Sequence, residues 1–329
     1  MTARVDTIEK AVNGATGHTV VETPVTILAS GHHLAITTHV LRGAQPGRTV
    51  GIVSGLHGDE VSTAELVLSL LPLLPPAEIT GTLLLVPMAS PLTFETGTRS
   101  TTLDMVNCNR VFPGNPHGTV TEMLAHVLIE HVLAACDVVI DLHAEPDTMG
   151  IRCIYSSPPA DDYGRKALAL ARASGCPIVY LTDGLPGMLT TAARARGIVA
   201  VMPETGGPLP GADGLLPEAQ DEILNMLRAI GTIPGEATPA QQVFVDTVAH
   251  VRAPAGGLFR PVVGFDGVGR SVTGGALLGT IASAFSGETL AEVRAPFAES
   301  WLMMARGRLS RVHPGDPLYI VGREQGRMS

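Results

Sequence analysis

Between residues 49 and 230, short and nearly uninterrupted apolar runs alternate with longer stretches of helical periodicity. The runs are TVGIVSG (49–55), TLLLVPMA (82–89), DVVIDL (137–142), CPIVYLTD (176–183) and GIVAVMPE (197–204). Between most of them, residues 60–73, 119–135, 162–174 and 216–230 place apolar side chains at i, i+3 and i+4. A strand with no polar face must be covered on both sides. The alternation therefore predicts an α/β fold with a mostly parallel central sheet flanked by helices. Upstream, TPVTILA and LAITTHVLRG have the look of a hairpin.

The texture changes at GTIPGEATPAQQ (231–242), a stretch with the proline and glycine of a linker. Beyond it come short β-type runs, many glycines and no convincing helix. The tail also repeats itself: VRAP occurs at 251–254 and 293–296, and VTGGALLGTI (272–281) resembles VHPGDPLYIV (312–321). Two similar units predict a small all-β barrel or sandwich. The expected division is an α/β domain with an N-terminal β-rich segment over 1–235, and the β domain over 236–329. The tail resembles the biotinyl and lipoyl carrier fold, but no lysine follows Lys166, so it has no acceptor for a swinging cofactor. A structural or access-shaping role is expected instead.

Charge and cysteine usage narrow the partners. The net charge is −9 and the only lysines are Lys10 and Lys166, which argues against a nucleic-acid or anionic-membrane surface. Small solutes are the expected partners. The four cysteines show no CxxC pairing and the N-terminus no basic-then-apolar leader pattern, as for a cytoplasmic chain with reduced thiols. Apolar runs such as VLSLLPLLPP are too short to span a bilayer, which takes about 20 residues. A mean hydropathy of +0.27 leaves room for a homo-oligomer interface.

Chemistry-bearing residues gather where predicted strands end. His57 and Glu60 sit three apart where the first run gives way to a helix, His143 follows DVVIDL, and Glu204 closes GIVAVMPE. The carboxyl ends of strands in open α/β sheets are where ligands bind. Two imidazoles and a carboxylate, with one position left for water, make a catalytic zinc set. His-x-x-Glu alone is a weak signal, because such pairs commonly form a solvated helix start. Placement at three strand ends strengthens it. Asp141 lies two residues before His143, placed either to orient that imidazole or to cap the strand. Glu145 and Asp147 follow, suited to a cationic substrate group or to loop solvation. His126 and His131, with Glu122 and Glu130, fit a solvated helix face better than a second metal site.

Four motifs in order carry a resemblance: G-L-H-G-D-E at 55–60, R-x4-D-x4-N-R-V-F-P-G at 99–114, D-L-H at 141–143 and P-E-T-G-G at 203–207. Together they are similar to the succinylglutamate desuccinylase/aspartoacylase family, a branch of the zinc carboxypeptidase superfamily. The resemblance covers nearly the whole chain. It implies one zinc ion per chain on His57, Glu60 and His143, and Glu204 as general base. It further implies that Asn109 and Arg110 hold a substrate carboxylate and that Arg99 polarises the scissile carbonyl. One departure stands out: the family's D-L-N-R is Asn107-Cys108-Asn109-Arg110 here. An N-L-N-R form occurs in relatives that deacetylate N-acetyl-diaminobutyrate.

The implied activity is zinc-dependent hydrolysis of the linear amide of a small carboxylate-bearing N-acyl amino acid, releasing an acetyl- or succinyl-type group. Arginine suits the clamp because its planar fork grips a carboxylate in bidentate fashion. Two alternatives remain, a zinc carboxypeptidase and a catalytically silent binding module. A retained Glu204 speaks against the second, since binding alone needs no base.

Overall fold

A computed structural model of the chain describes residues 3–5, 7–146, 148–206, 212–238 and 240–325. Asp147, Gly207 of P-E-T-G-G and Pro239 of the linker stretch lie outside the described residues. In chain order the strands of the first part are β1 (Ala3–Val5), β2 (Gly17–Ile27), β3 (His33–Arg42), β4 (Gln45–Val53), β5 (Thr80–Val86), β6 (Val138–Asp141), β7 (Gly150–Ser156), β8 (Ile178–Leu181) and β9 (Val199–Gly206). Those of the second are β10 (Val243–Arg252), β11 (Gly257–Pro261), β12 (Ser271–Thr273), β13 (Leu277–Ala282), β14 (Thr289–Arg294), β15 (Glu299–Ala305), β16 (Ser310–Val312) and β17 (Pro317–Glu324). The helices are α1 (Ile8–Val12), α2 (Val61–Leu70), α3 (Pro91–Thr96), α4 (Val120–Val127), α5 (Asp162–Ser174), α6 (Leu189–Ala195) and α7 (Ala212–Ala229).

The α/β class holds, but the large sheet is mixed where a mostly parallel one was expected. Its thirteen strands run β1-β2-β3-β5-β4-β6-β9-β7-β8-β10-β17-β15-β12. The segment β5-β4-β6-β9 is parallel throughout. On one side β2 and β3 form an antiparallel hairpin, and β3 runs antiparallel to β5. On the other, β7 runs antiparallel to β9. Its direction follows from chain length: only residues 142–149 separate β6 from β7, and a parallel return needs a crossover of a dozen or more.

The sheet then curls and closes. β7 pairs β8, β8 pairs β10, β10 pairs β17 and β17 pairs β15. β15 returns to β7 through Met304 and Ile151, giving a closed five-stranded barrel. Three of its strands come from beyond the linker stretch. The tail also forms a separate four-stranded sheet, β14-β13-β11-β16. The two similar tail segments thus become β13 and β17, in different sheets.

Helices cover both faces of the parallel segment. α4 and α6 bury Leu124, Ala125, Leu189 and Ala193 on one face. α2, α5 and α7 bury Leu66, Val67, Ala167, Leu170 and Leu227 on the other. Local sequence sets their ends: Thr119 and Glu122 form a reciprocal capping box at α4, and α5 runs from the Asp161 cap to Gly175 at φ +79°. Among the described residues no helix is long and apolar enough to cross a membrane.

Candidate active site

Strands β4, β6 and β9 are adjacent and parallel, so their carboxyl ends share one edge of the sheet. The turn after β4 carries His57 and Glu60. Gly55 takes φ +66°, and a side chain on Gly58 would bring Cβ within 1.8 Å of the Thr93 carbonyl oxygen. Glycine at these two places lets the turn fold against the start of α3 and bring its polar side chains inward. Glu60 is the residue before α2, yet its side chain makes no capping hydrogen bond. It faces the imidazoles instead.

The contacts are close. His57 Nδ1 lies 2.6 Å from Glu60 Oε1, and His143 Nδ1 lies 2.9 Å from Oε2 of the same carboxylate. His57, Glu60 and His143 are 1%, 2% and 2% exposed, so bulk water does not compensate their charges. The Glu204 position sits next to this group. His143 N–H donates to Pro203 O at 2.9 Å and Thr205 N–H donates to His143 O at 3.0 Å, which puts Glu204 directly beside His143 on the neighbouring strand.

The outer nitrogens are also held. His57 Nε2 lies 3.1 Å from Asn107 Oδ1, an oxygen fixed as an acceptor by the Asn109 N–H at 2.8 Å. Nε2 must therefore carry the proton. In a neutral imidazole this leaves the Nδ1 lone pair facing a carboxylate oxygen. Two acceptors that close need a proton or a metal cation to bridge them. Asp141 repeats the demand: it is fully buried, neither of its oxygens has a hydrogen-bond partner, and Oδ1 is 3.4 Å from His143 Nε2. Two buried carboxylates around two imidazoles fit a divalent ion, and His57, Glu60 and His143 are the one group of three such donors found among the described residues.

Electrostatics follow the same geometry. Burial opposes charge on Glu60, but His143 and His57 outweigh it and hold its carboxyl well below the usual range. Burial likewise opposes charge on His143, and Asp141 with Glu60 overcomes it, so that imidazole is raised. His57 is lowered, chiefly by burial. Burial pushes Glu204 well up, helped by Glu60 and Glu145. Burial also pushes Glu145 up to about 7.

The remaining sequence candidates fall around one cavity of about 630 Å³, lined by His57, Arg99, Asn109, Arg110, His143 and Glu204 among others. Arg99 is partly exposed and its Nη1 reaches Glu60 Oε1 at 3.1 Å. Asn109 is buried, with Oδ1 accepting from Leu189 N–H at 2.8 Å and Nδ2 3.0 Å from His143 Nε2. Arg110 donates to the Asn109 carbonyl at 2.6 Å and faces the cavity. Glu145 lines the same space. His126 and His131 stack edge to face at 5.7 Å and belong to no group of three donors among the described residues.

Sequence reasoning missed much of the cavity wall. Tyr155 and Tyr180, and Val248, His250, Arg252, Met304 and Ile320 from beyond the linker stretch, all line it. The alternation Ile151, Cys153, Tyr155 was a local signal for β7; no local signal marked the others.

Residues 46–230 match the model of the succinylglutamate desuccinylase/aspartoacylase catalytic domain. The N-alpha-acetyl-L-2,4-diaminobutyric acid deacetylase of Halomonas elongata is 29% identical over 294 residues, covering 86% of this chain and 84% of that protein. An aspartoacylase family protein from Mesorhizobium loti superposes with a TM-score of 0.82 at 26% identity, over 95% of this chain and 96% of the other. A succinylglutamate desuccinylase/aspartoacylase from Rhodobacter sphaeroides gives 0.82 at 26% identity, over 94% and 97%.

Proposed function

Given that this chain belongs to the succinylglutamate desuccinylase/aspartoacylase family, we propose that it is a zinc-dependent amidohydrolase that removes the acyl group from a carboxylate-bearing N-acyl amino acid. The observation that carries this is the convergence of two imidazole nitrogens on one buried carboxylate, at the edge of a cavity that Glu204, Arg99 and Arg110 also line. The Halomonas relative, named as a deacetylase of an N-acetyl amino acid, supports the same reaction class.

His57, Glu60 and His143 would hold the ion, and zinc bound there supplies the Lewis acidity that makes water and an amide carbonyl reactive toward each other. The chain does the rest. Asn107 keeps the proton of His57 on Nε2 and so aims Nδ1 inward. Glu204 takes a proton from the attacking water and returns it to the leaving amine nitrogen, a role that typically contributes about 100- to 10,000-fold. Its place beside His143 brings base and ligand set together. Arg110 holds the substrate carboxylate and fixes the amide in register. Arg99 supplies positive charge where the carbonyl oxygen gains electrons. Four free, buried cysteines accord with a cytoplasmic site of action.

The test is zinc-loaded protein assayed on N-acetyl and N-succinyl amino acids, their carboxamides, and short peptides. Cleavage of the acyl amino acids, loss of activity with a chelator and recovery with zinc are expected. Preferential release of C-terminal residues from peptides would make it a carboxypeptidase. Tight binding without turnover would make it a silent binding module.

A further inference from the structure

The cavity is larger than a small polar substrate needs. Its volume of about 630 Å³ lies within the ~300 to 1,000 Å³ of sites for drug-sized ligands, or roughly twenty water molecules at ~30 Å³ each. Most of its charged groups come from the ends of β4 and β6, from β9 and from the loop carrying Arg99 and Arg110, joined by His250 and Arg252 from β10. The barrel contributes something different. Ile151, Tyr180, Val248, Met304 and Ile320 line the cavity, one from each of the five barrel strands. Ile151, Met304 and Ile320 belong to one buried apolar cluster of barrel residues, and Tyr180 and Val248 are partly buried and pack against it.

The catalytic edge therefore adjoins an apolar wall continuous with the barrel core. Tyr180 packs edge to face against Tyr155 at 4.8 Å, which fixes the aromatic part of that wall. Met304 adds a polarizable surface that adapts to the shape laid against it. A polar substituent lying against Ile151, Val248, Met304 and Ile320 would lose water to side chains that offer it no hydrogen bond. A hydrocarbon would gain about fourfold in binding per methylene buried.

We propose that the substrate carries a hydrocarbon group of several carbons, aliphatic or aromatic, that lies against this barrel wall. The proposal rests on the deacylase function above and names its substrate class: hydrophobic N-acyl amino acids, as opposed to short polar ones. The group belongs either to the acyl chain or to the amino-acid side chain.

Two substrate series separate these sources. One holds the amino acid constant and lengthens the acyl chain from acetyl through butanoyl and hexanoyl to octanoyl. The other holds acetyl constant and varies the side chain from alanine through norleucine to phenylalanine, with N-acetyl-diaminobutyrate as the polar member. In one series kcat/KM should climb by about fourfold per methylene, at least tens-fold from end to end. Val248→Trp, which fills the wall from β10, should lower the ratio of the longest to the shortest substrate by at least tenfold. A flat or falling profile in both series, with N-acetyl-diaminobutyrate preferred, overturns the proposal and leaves the deacylase function standing. No cleavage of any member by zinc-loaded protein overturns both.

Discussion

The side-chain oxygen of Asn107 lies 3.1 Å from Nε2 of His57 and also accepts the backbone N–H of Asn109. Where the family pattern has an aspartate, the amide keeps the acceptor and drops the charge. The change thus acts on the imidazole, and the substrate's own charge need not be altered by it. Asn107→Ala should weaken zinc affinity by about 10- to 100-fold, as loss of such outer partners does. Asn107→Asp should stay within a few-fold of wild type. Chelator competition measures both, and an alanine variant that holds zinc as tightly as wild type would remove Asn107 from this role.

Glu204→Gln keeps the shape of the side chain beside His143 and removes its basicity. Zinc content should be unchanged while kcat falls by at least ~100-fold. Activity near wild type would assign the proton transfer to another group.

Arg110 tests the carboxylate clamp. Its guanidinium faces the cavity and is anchored by one bond to the Asn109 carbonyl. Arg110→Ala should cost roughly 30-fold or more in kcat/KM on the free acid, the lower end for truncating one side of a charge pair. The matching carboxamide should be a poor substrate for wild type and much less affected by the change. Equal losses on acid and amide would show that Arg110 supports the fold instead.

A charge pair with a buried carboxylate bears on stability. Arg152 on β7 contacts Glu222 of α7 at 3.0 Å, and Thr205 Oγ1 donates to the other oxygen of that carboxylate at 3.4 Å. Glu222 is only 5% exposed, so Arg152→Ala strands a buried carboxylate. Denaturant titration should show a loss of about 3 kcal/mol. A loss below about 1 kcal/mol would mean water reaches Glu222.

The thiols should be silent. Cys108, Cys136, Cys153 and Cys176 are free and buried, and burial pushes all four thiols up. Since the thiolate is the reactive form, none should react with an aromatic disulfide reagent at neutral pH until the protein is unfolded. Rapid titration of even one thiol in native protein would contradict the packing.

What could be read from the sequence was local. The apolar runs became β4, β5, β6, β8 and β9, and His57, Glu60, His143 and Glu204 stand at or near the carboxyl ends of β4, β6 and β9 because a strand and the turn after it are encoded side by side. Barrel closure was not legible, since Met304 meets Ile151 across half the chain and neither neighbourhood announces the other. The same holds for Val248 and Ile320, which look like ordinary strand residues and turn out to line the cavity. Asn107 appeared as a departure from a pattern, and its meaning emerged only when His57 was found opposite it.

The position of β17 between β10 and β15 imposes an order on assembly. As the chain emerges from the ribosome, β7 and β8 can meet early, but neither β10 nor β15 gains its shared neighbour until residues 317–324 have been made. Until then the edges of both strands stand open, and Ile320 is missing from the cavity. A nascent chain halted before β17 should therefore hold a complete set of chemistry-bearing side chains in an unfinished room, prone to sticking through its unpaired strands.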